Sequence, residues 1–433
     1  MKLAALAFAV LVAGAPAQAK LSAPEQRMVQ AVEADRARSL ALLEKLVNQN
    51  SGTLNLLGVA TVGRMMRAEL EPLGFRVRWL PMPESKRAGH IVATHPGNRN
   101  GKRLLLIGHL DTVFEKDSPF QKFTLRGDKA SGPGVADDKG GMVVMVAALR
   151  AMQAAGTLKN ASIEIVLTGD EERVGAPLSA SRRDLIAAGK RADVALDYEG
   201  LAQQDGRDMG SIARRSSTNW ELGTTGKTGH SSGIFSEGAG NGAIYEMARI
   251  IAAFRSELPE PNLTFNVGLI AGGATAETDA DGIRASATGK TNIIPAVAIA
   301  RGDMRTLSAE QLARVQKRMQ TIVARPLAGA SAKLTFSDTG YPAMPPTAGN
   351  RALLARLNAV NTDLGLLQMG ELDPLRRGAG DIAFVAADVD GLIGLGPASE
   401  GDHSPAETVD LPSIDRQAKR AAILMSRLAA EPR

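Results

Sequence analysis

The chain has 433 residues, of which 44% are hydrophobic and 22% charged, and its formal net charge is +5. That length exceeds the roughly 250–300 residues at which single cores stop growing, so two domains are expected. A small charge with no dense basic tract, and only 3% aromatic residues, argue against nucleic-acid binding, and the absence of cysteine excludes disulfides and thiolate chemistry.

The first residues read as an address. Lys2 supplies a positive start, Leu3 to Gly14 an apolar core, and Ala17-Gln18-Ala19 a small-residue cleavage site. The apolar stretch falls short of the ~20 residues a membrane span needs. Residues 1–19 are therefore expected to be a signal peptide, with export to a periplasm or the exterior and no span in the mature protein.

Helices are expected over 24–48 and 55–73, and a strand over 75–79. Ile91 to Ala93 is strand-like, and the flanking His90 and His95 read as ordinary surface or loop histidines. Leu104 to Ile107 is a short apolar run of the kind buried in a parallel sheet, and it ends in Gly108-His109-Leu110-Asp111. Residues two apart in extended chain point the same way, so His109 and Asp111 face one place together. Gly132-Pro133-Gly134-Val135-Ala136-Asp137-Asp138-Lys139-Gly140-Gly141 follows as a tight turn. It leads into a helix with Met142, Met145, Val146, Leu149 and Met152 on one face.

Ser162 to Thr168 is the next strand and ends in Asp170, Glu171 and Glu172. Val194 to Leu196 ends in Asp197 and Glu199, which share a face, so either is a candidate ligand. The character changes near 211. Strand-like runs at 220–228, 263–269, 299–305 and 333–336 surround two helical patterns. One pattern carries Ile244, Met247, Ile251 and Phe254; the other opens at the Ser308/Gln311 capping box. That order suggests a ferredoxin-like insertion over 211–338. Lys227-Thr228 lacks the upstream glycines of a phosphate loop. The first domain resumes after 339 with a helix over 353–360. The turn Arg377-Gly378-Ala379-Gly380-Asp381, a last strand over 392–395, and the loop carrying His403 complete it.

Groups at strand ends collect where open α/β sheets hold ligands. His109, Asp111, Asp137, Glu171, Glu172, Glu199 and His403 suit two zinc ions sharing a bridging carboxylate. Three ligand carboxylates and one hydroxide would balance the four positive charges. Such ions lower the pKa of water and polarise a carbonyl.

In order, the segments GHLDTV, GPGVADDKGG, TGDEE, LDYEG, TGHSS and EGDHS resemble the co-catalytic dizinc peptidase and deacylase family. That family includes bacterial glutamate carboxypeptidases, aminoacylases and succinyl-diaminopimelate desuccinylases, and the glutamate carboxypeptidase branch looks nearest. The resemblance covers nearly the whole mature chain. It implies an α/β catalytic domain with a mixed, mostly parallel sheet flanked by helices. Residues 20–210 and 339–433 would make that domain, and 211–338 a lid and dimerisation domain.

The resemblance also implies that Asp137 bridges two Zn2+, replaceable by Co2+ or Mn2+. His109 and Glu199 would hold one ion, Glu172 and His403 the other. Glu171 would be the general base and Asp111 the group orienting His109. His230 would stabilise the oxyanion, often from a partner subunit. Asn292 and Arg305 would hold the substrate's carboxylate, and Gly380 would sit in a glycine-rich turn that lines the pocket. The expected activity is hydrolysis of an amide beside a free carboxylate, with N-acyl amino acid deacylase or dipeptidase as the rival. A binding protein that has lost catalysis is the non-enzyme reading, and Glu171 argues against it.

Overall fold

The computed structural model describes residues 21–98 and 100–433. The expected signal peptide lies outside the described residues.

Six strands make the central sheet, in the order Arg76–Met82, Arg87–His95, Ser162–Thr168, Arg103–His109, Val194–Asp197, Gly391–Ile393. The last four run parallel, and the first two form an antiparallel edge. The Arg103–His109 strand shows why the apolar run is continuous. Leu104 and Leu106 enter the core on one face, and Leu105 and Ile107 the core on the other. A strand covered on both faces has no side to leave polar.

Helices Ala23–Val47, Lys139–Ala155 and Leu411–Ala430 cover the first face. The opening helix starts at Ser22, whose backbone N–H donates to Glu25 Oε2 at 2.7 Å in a capping box. The Lys139–Ala155 helix departs from the one-sided burial expected of it. Fifteen of its 17 residues are buried, because the other two helices flank it while the sheet lies beneath. Gly141 allows this approach: a Cβ there would lie 2.1 Å from the Tyr198 carbonyl oxygen. The second face is covered by the Arg183–Gly189 helix and the 3₁₀ turn Asp381–Phe384.

A separate four-stranded antiparallel sheet has the order Thr264–Gly273, Val297–Arg305, Thr218–Gly226, Ala330–Phe336. Helices Gly242–Glu257 and Ala309–Val323 pack on it around Trp220, Phe254, Met304 and Met319. This is the ferredoxin-like connectivity expected from the sequence. A hairpin of Thr275–Thr278 with Ala285–Thr288 interrupts it and had no clear sequence signal. Among the described residues no helix is long and apolar enough to cross a membrane.

Candidate metal centre

The parallel strands deliver their chemistry at one end. His109 closes its strand, and Glu171 and Glu172 follow Thr168 by a short turn. Glu199 follows Asp197, and Asp137 ends the loop before the Lys139 helix, through a cis peptide to Asp138. His403 arrives from the loop between the short strands Ser399–Glu400 and Thr408–Asp410.

Asp137 lies between the two histidines. Its Oδ1 is 2.9 Å from His109 Nε2, and its Oδ2 is 3.0 Å from His403 Nε2. Glu199 Oε1 is 3.8 Å from His109 Nε2, and Glu172 Oε2 is 3.3 Å from His403 Nε2. His403 holds φ at +62°, a left-handed backbone that non-glycine residues adopt chiefly where the surroundings compensate.

Of the two acids in LDYEG, Glu199 faces the cluster. Asp197 sits behind it, buried, and Asp197 Oδ1 accepts the Glu199 backbone N–H at 3.1 Å.

The electrostatics call for a cation. Burial, and then the charge of Glu199, push Glu171 well above the usual carboxylate range. Burial, Asp137 and Glu171 do the same to Glu172. Burial raises Asp137 too, but hydrogen bonds with His109 and His403 outweigh it and hold that carboxyl below its ordinary value. Glu172 Oε1 is buried and, among the described residues, has no hydrogen-bond partner. Buried carboxylate oxygens are rarely left so unless an ion takes the place of the donor. The sets His109, Asp137, Glu172 and His109, Glu171, Glu199 each offer ligand atoms within 4.8 Å of one another. Two imidazoles and several carboxylates without thiolate fit zinc or a similar divalent ion.

Asp111 does more than the expected orienting of His109. The ring Nδ1 is 3.1 Å from the Asp111 carbonyl oxygen and 3.4 Å from its carboxylate. The carboxylate instead accepts the backbone N–H groups of Glu171 at 3.0 Å and Glu172 at 3.2 Å, and the Thr53 hydroxyl at 2.6 Å.

Other supports had no local sequence signal. Glu407 is buried and accepts the backbone N–H groups of Gly134, Ala136 and Asp137 at 3.0, 3.0 and 3.2 Å. Arg182, also buried, donates to Asp170 at 2.6 Å, Asp381 at 2.8 Å and the Tyr341 hydroxyl at 3.0 Å. The same Tyr341 hydroxyl donates to the Glu171 carbonyl at 2.6 Å.

His90 is a correction. It lies inside a strand, 1% exposed, with Nε2 2.8 Å from the Ser181 carbonyl and Nδ1 accepting the Gly169 N–H at 3.0 Å. Only the folded sheet reveals that this position faces the base of the GDEE turn.

A cleft of about 260 Å³ opens beside Asp137, Glu171, Glu199 and His403. Arg214, Arg377, Gly378 and Ala379 form another part of its wall. Arg214 was not singled out by sequence; its Nη2 donates to Glu199 Oε2 at 2.6 Å. Gly380 sits behind that wall, where a Cβ would come within 3.3 Å of the Arg214 guanidinium.

The structure does not bring the remaining expected residues into the cleft. His230 is exposed, with Nδ1 2.7 Å from Ser232 Oγ. It lies beside Asn292, whose carbonyl accepts the Ser231 N–H at 2.9 Å. Arg305 does not line the cleft: its Nε donates to Asp303 Oδ2 at 3.3 Å, and its Nη1 lies 3.5 Å from where a Cβ on Gly378 would stand.

Known proteins match this arrangement. Residues 105–427 fit the sequence model of Peptidase family M20/M25/M40. Carboxypeptidase G2 of Pseudomonas sp. (strain RS-16) is 30% identical over 417 residues, 93% of this chain and 92% of that protein. A succinyl-diaminopimelate desuccinylase of Burkholderia ambifaria is 26% identical over 87% of this chain and 95% of its own length. Among solved structures, a Staphylococcus aureus tripeptidase superposes with a TM-score of 0.70 at 19% identity, covering 92% of this chain and 99% of that one. A Bacillus subtilis dinuclear metal-binding peptidase gives a TM-score of 0.63 at 17% identity, covering 91% and 98%. The fold, the strand-end cluster of histidines and acids, and these likenesses agree, and the chain belongs to peptidase family M20/M25/M40.

Proposed function

We propose that the protein is a zinc-dependent exopeptidase of the glutamate carboxypeptidase type, hydrolysing an amide beside a free carboxylate. The observation that carries this reading is the convergence of His109, Asp137, Glu172, Glu199 and His403 at one cleft, with Glu171 beside them. The likeness to carboxypeptidase G2 over 93% of the chain supports it.

In this reading Asp137 would be shared by two zinc ions, His109 and Glu199 would hold one, and Glu172 and His403 the other. When bound, the ions supply Lewis acidity toward the scissile carbonyl and toward water. Glu171 takes the proton from water on its carboxylate and returns it to the leaving amine. Asp111 holds the backbone of Glu171 and Glu172 in place through the contacts above.

Residues 20–210 and 339–433 form the catalytic domain, and 211–338 the lid and dimerisation domain. Closure of that domain, or the partner in a homodimer, carries His230 and Asn292 to the cleft. Arg305 and Asn292 then hold the substrate carboxylate. Residues 1–19 direct export to the periplasm or beyond.

The desuccinylase likeness favours a second reading, an N-acyl amino acid deacylase or dipeptidase. The test is mass spectrometry of zinc-loaded protein offered C-terminal glutamyl peptides, folate-like conjugates and N-acetyl amino acids. Release of C-terminal glutamate supports the carboxypeptidase. Release from N-acetyl amino acids alone selects the deacylase. No turnover with both ions bound leaves the binding protein.

A further inference from the structure

The loop that carries His403 is an exposed arm. Its two roots are short strands that pair with each other, Ser399 opposite Val409 and Glu400 opposite Thr408. Between them Gly401, Asp402, His403, Pro405 and Ala406 are all exposed. The Ser404 N–H donates to the Gly401 carbonyl at 3.1 Å and the Glu407 N–H to the Ser404 carbonyl at 3.0 Å. Those bonds curl the arm without tying it to the body of the domain. The arm turns inward at Glu407, which is 1% exposed.

The turn that Glu407 grips is built the other way. Gly132 to Ala136 are buried. Lys139, wholly buried, braces them: its Nζ donates to the Pro133 carbonyl at 3.2 Å and the Gln49 carbonyl at 3.0 Å. Its backbone N–H donates to the Gly134 carbonyl at 3.1 Å. The N–H groups of Gly134, Ala136 and Asp137 then converge on the Glu407 carboxylate, the first on Oε2 and the other two on Oε1. Such a concave set of N–H groups is a nest for an anion, here supplied by the chain itself. Asp137 is therefore met twice from the arm, at its backbone by Glu407 and at its Oδ2 by the His403 ring, 3.0 Å away. Without Glu407 the braced turn keeps its other bonds, whereas the arm loses its buried attachment.

We infer that Glu407 is a positioning residue that holds His403 at its ion, an inference that rests on the two-ion reading above and adds an asymmetry to it. The ion assigned to Glu172 and His403 depends on Glu407. The ion assigned to His109 and Glu199 does not, because His109 is buried in the sheet and its ring is held by the Asp111 carbonyl at 3.1 Å. Residues that hold a ligand in place set metal affinity almost as strongly as the ligand does.

Glu407→Gln keeps the size of the side chain and one accepting oxygen, and turns an amide NH2 toward a backbone N–H that the carboxylate accepted. Ser131→Ala is the control: Ser131 Oγ donates to the Glu407 carbonyl at 2.8 Å, so its loss disturbs the same segment without touching the carboxylate. Zinc alone is titrated into the chelated proteins against a fluorescent chelator, with plasma emission counting the ions. In Glu407→Gln one of the two affinities should fall about 10–100-fold and the other by less than about threefold. In a His403→Ala background, the same substitution should change the remaining ion by less than about threefold, since the residue it acts through is gone. Equal falls at both ions, wild-type affinities, a further large loss in the His403→Ala background, or the same fall in Ser131→Ala overturn the inference. If wild type takes up fewer than two ions, the two-ion reading fails, and hydrogen exchange of the metal-free proteins decides. Faster exchange over 401–406 in Glu407→Gln then supports the attachment, and unchanged exchange overturns it. Glu407→Asp, which keeps the charge and shortens the reach, is read by the same outcomes if Glu407→Gln does not fold.

Discussion

Asp111→Asn separates two jobs that the same carboxylate performs. Burial pushes this carboxyl up, but His109, Thr53 and the Glu171 N–H together hold it below its ordinary range, so the substitution removes a real charge at neutral pH. An asparagine oxygen in the place of Oδ1 keeps the Glu171 N–H. Its amide nitrogen then faces the Glu172 N–H, which Oδ2 accepts at 3.2 Å. Thr53 Oγ1 can turn to accept from the new amide. One bond to a charged acceptor is lost, worth about 1.5–3 kcal/mol, and two weaken from charged to neutral by about 0.5–1 kcal/mol each. The sum is about 2.5–5 kcal/mol of destabilisation.

The His109 ring keeps its carbonyl partner at 3.1 Å, so the histidine stays oriented while the Glu171–Glu172 turn loosens. Metal affinity should fall about 10–100-fold, as when other residues that hold ligands in place are changed. Thermal unfolding of the chelated protein reads the first effect, and competition with a fluorescent chelator the second. Thr53→Val, which removes only the 2.6 Å bond to the charged carboxylate, should cost about 1.5–3 kcal/mol with little effect on metal. Wild-type unfolding and wild-type metal affinity in Asp111→Asn would refute the reasoning, and Asp111 would then be dispensable to the turn.

Glu171→Gln should reduce turnover by about 10²–10⁴-fold or more while two metals per chain remain, as plasma emission spectrometry would measure; loss of both metals would contradict its role as base. His403→Ala should lower metal content and activity together, since its ring is 3.0 Å from Asp137 and 3.3 Å from Glu172. A folded variant with full metal content removes His403 from the site. His230→Ala should be inactive with metal sites intact. Mixing it with Glu171→Gln under subunit exchange should restore activity if the residue serves a partner's cleft. Proven heterodimers without rescue would instead favour delivery within one chain.

Much of the catalytic face was legible because its residues follow buried strands at once. Leu104 to Ile107 is apolar on both faces, so the run had to be internal, and the polar residues that break it had to lie at its end. The same logic reached Glu171, Glu172 and Glu199, each a few residues past a strand. The paired helices and four strands of the insertion carried their own periodicities, so its connectivity could be read before its sheet order was known.

Contacts between distant segments left no such trace. Glu407 binds backbone about 270 residues away, Arg182 spans 199 residues to Asp381, and His90 meets Gly169 across 79. Their local sequences are ordinary, and only chain closure brings their partners. The same holds for the arginine wall. Arg214 and Arg377 come from two segments 163 positions apart by their numbers, yet both line the cleft. By itself the sequence determined which residue types stand at the strand ends, because hydrophobic runs and the breaks that follow them are local. Tertiary structure decided which of two neighbouring acids, Asp197 or Glu199, faces the cluster, and which arginines share its cleft. Those outcomes depend on sheet order and on the paths of loops whose energies come from contacts far along the chain.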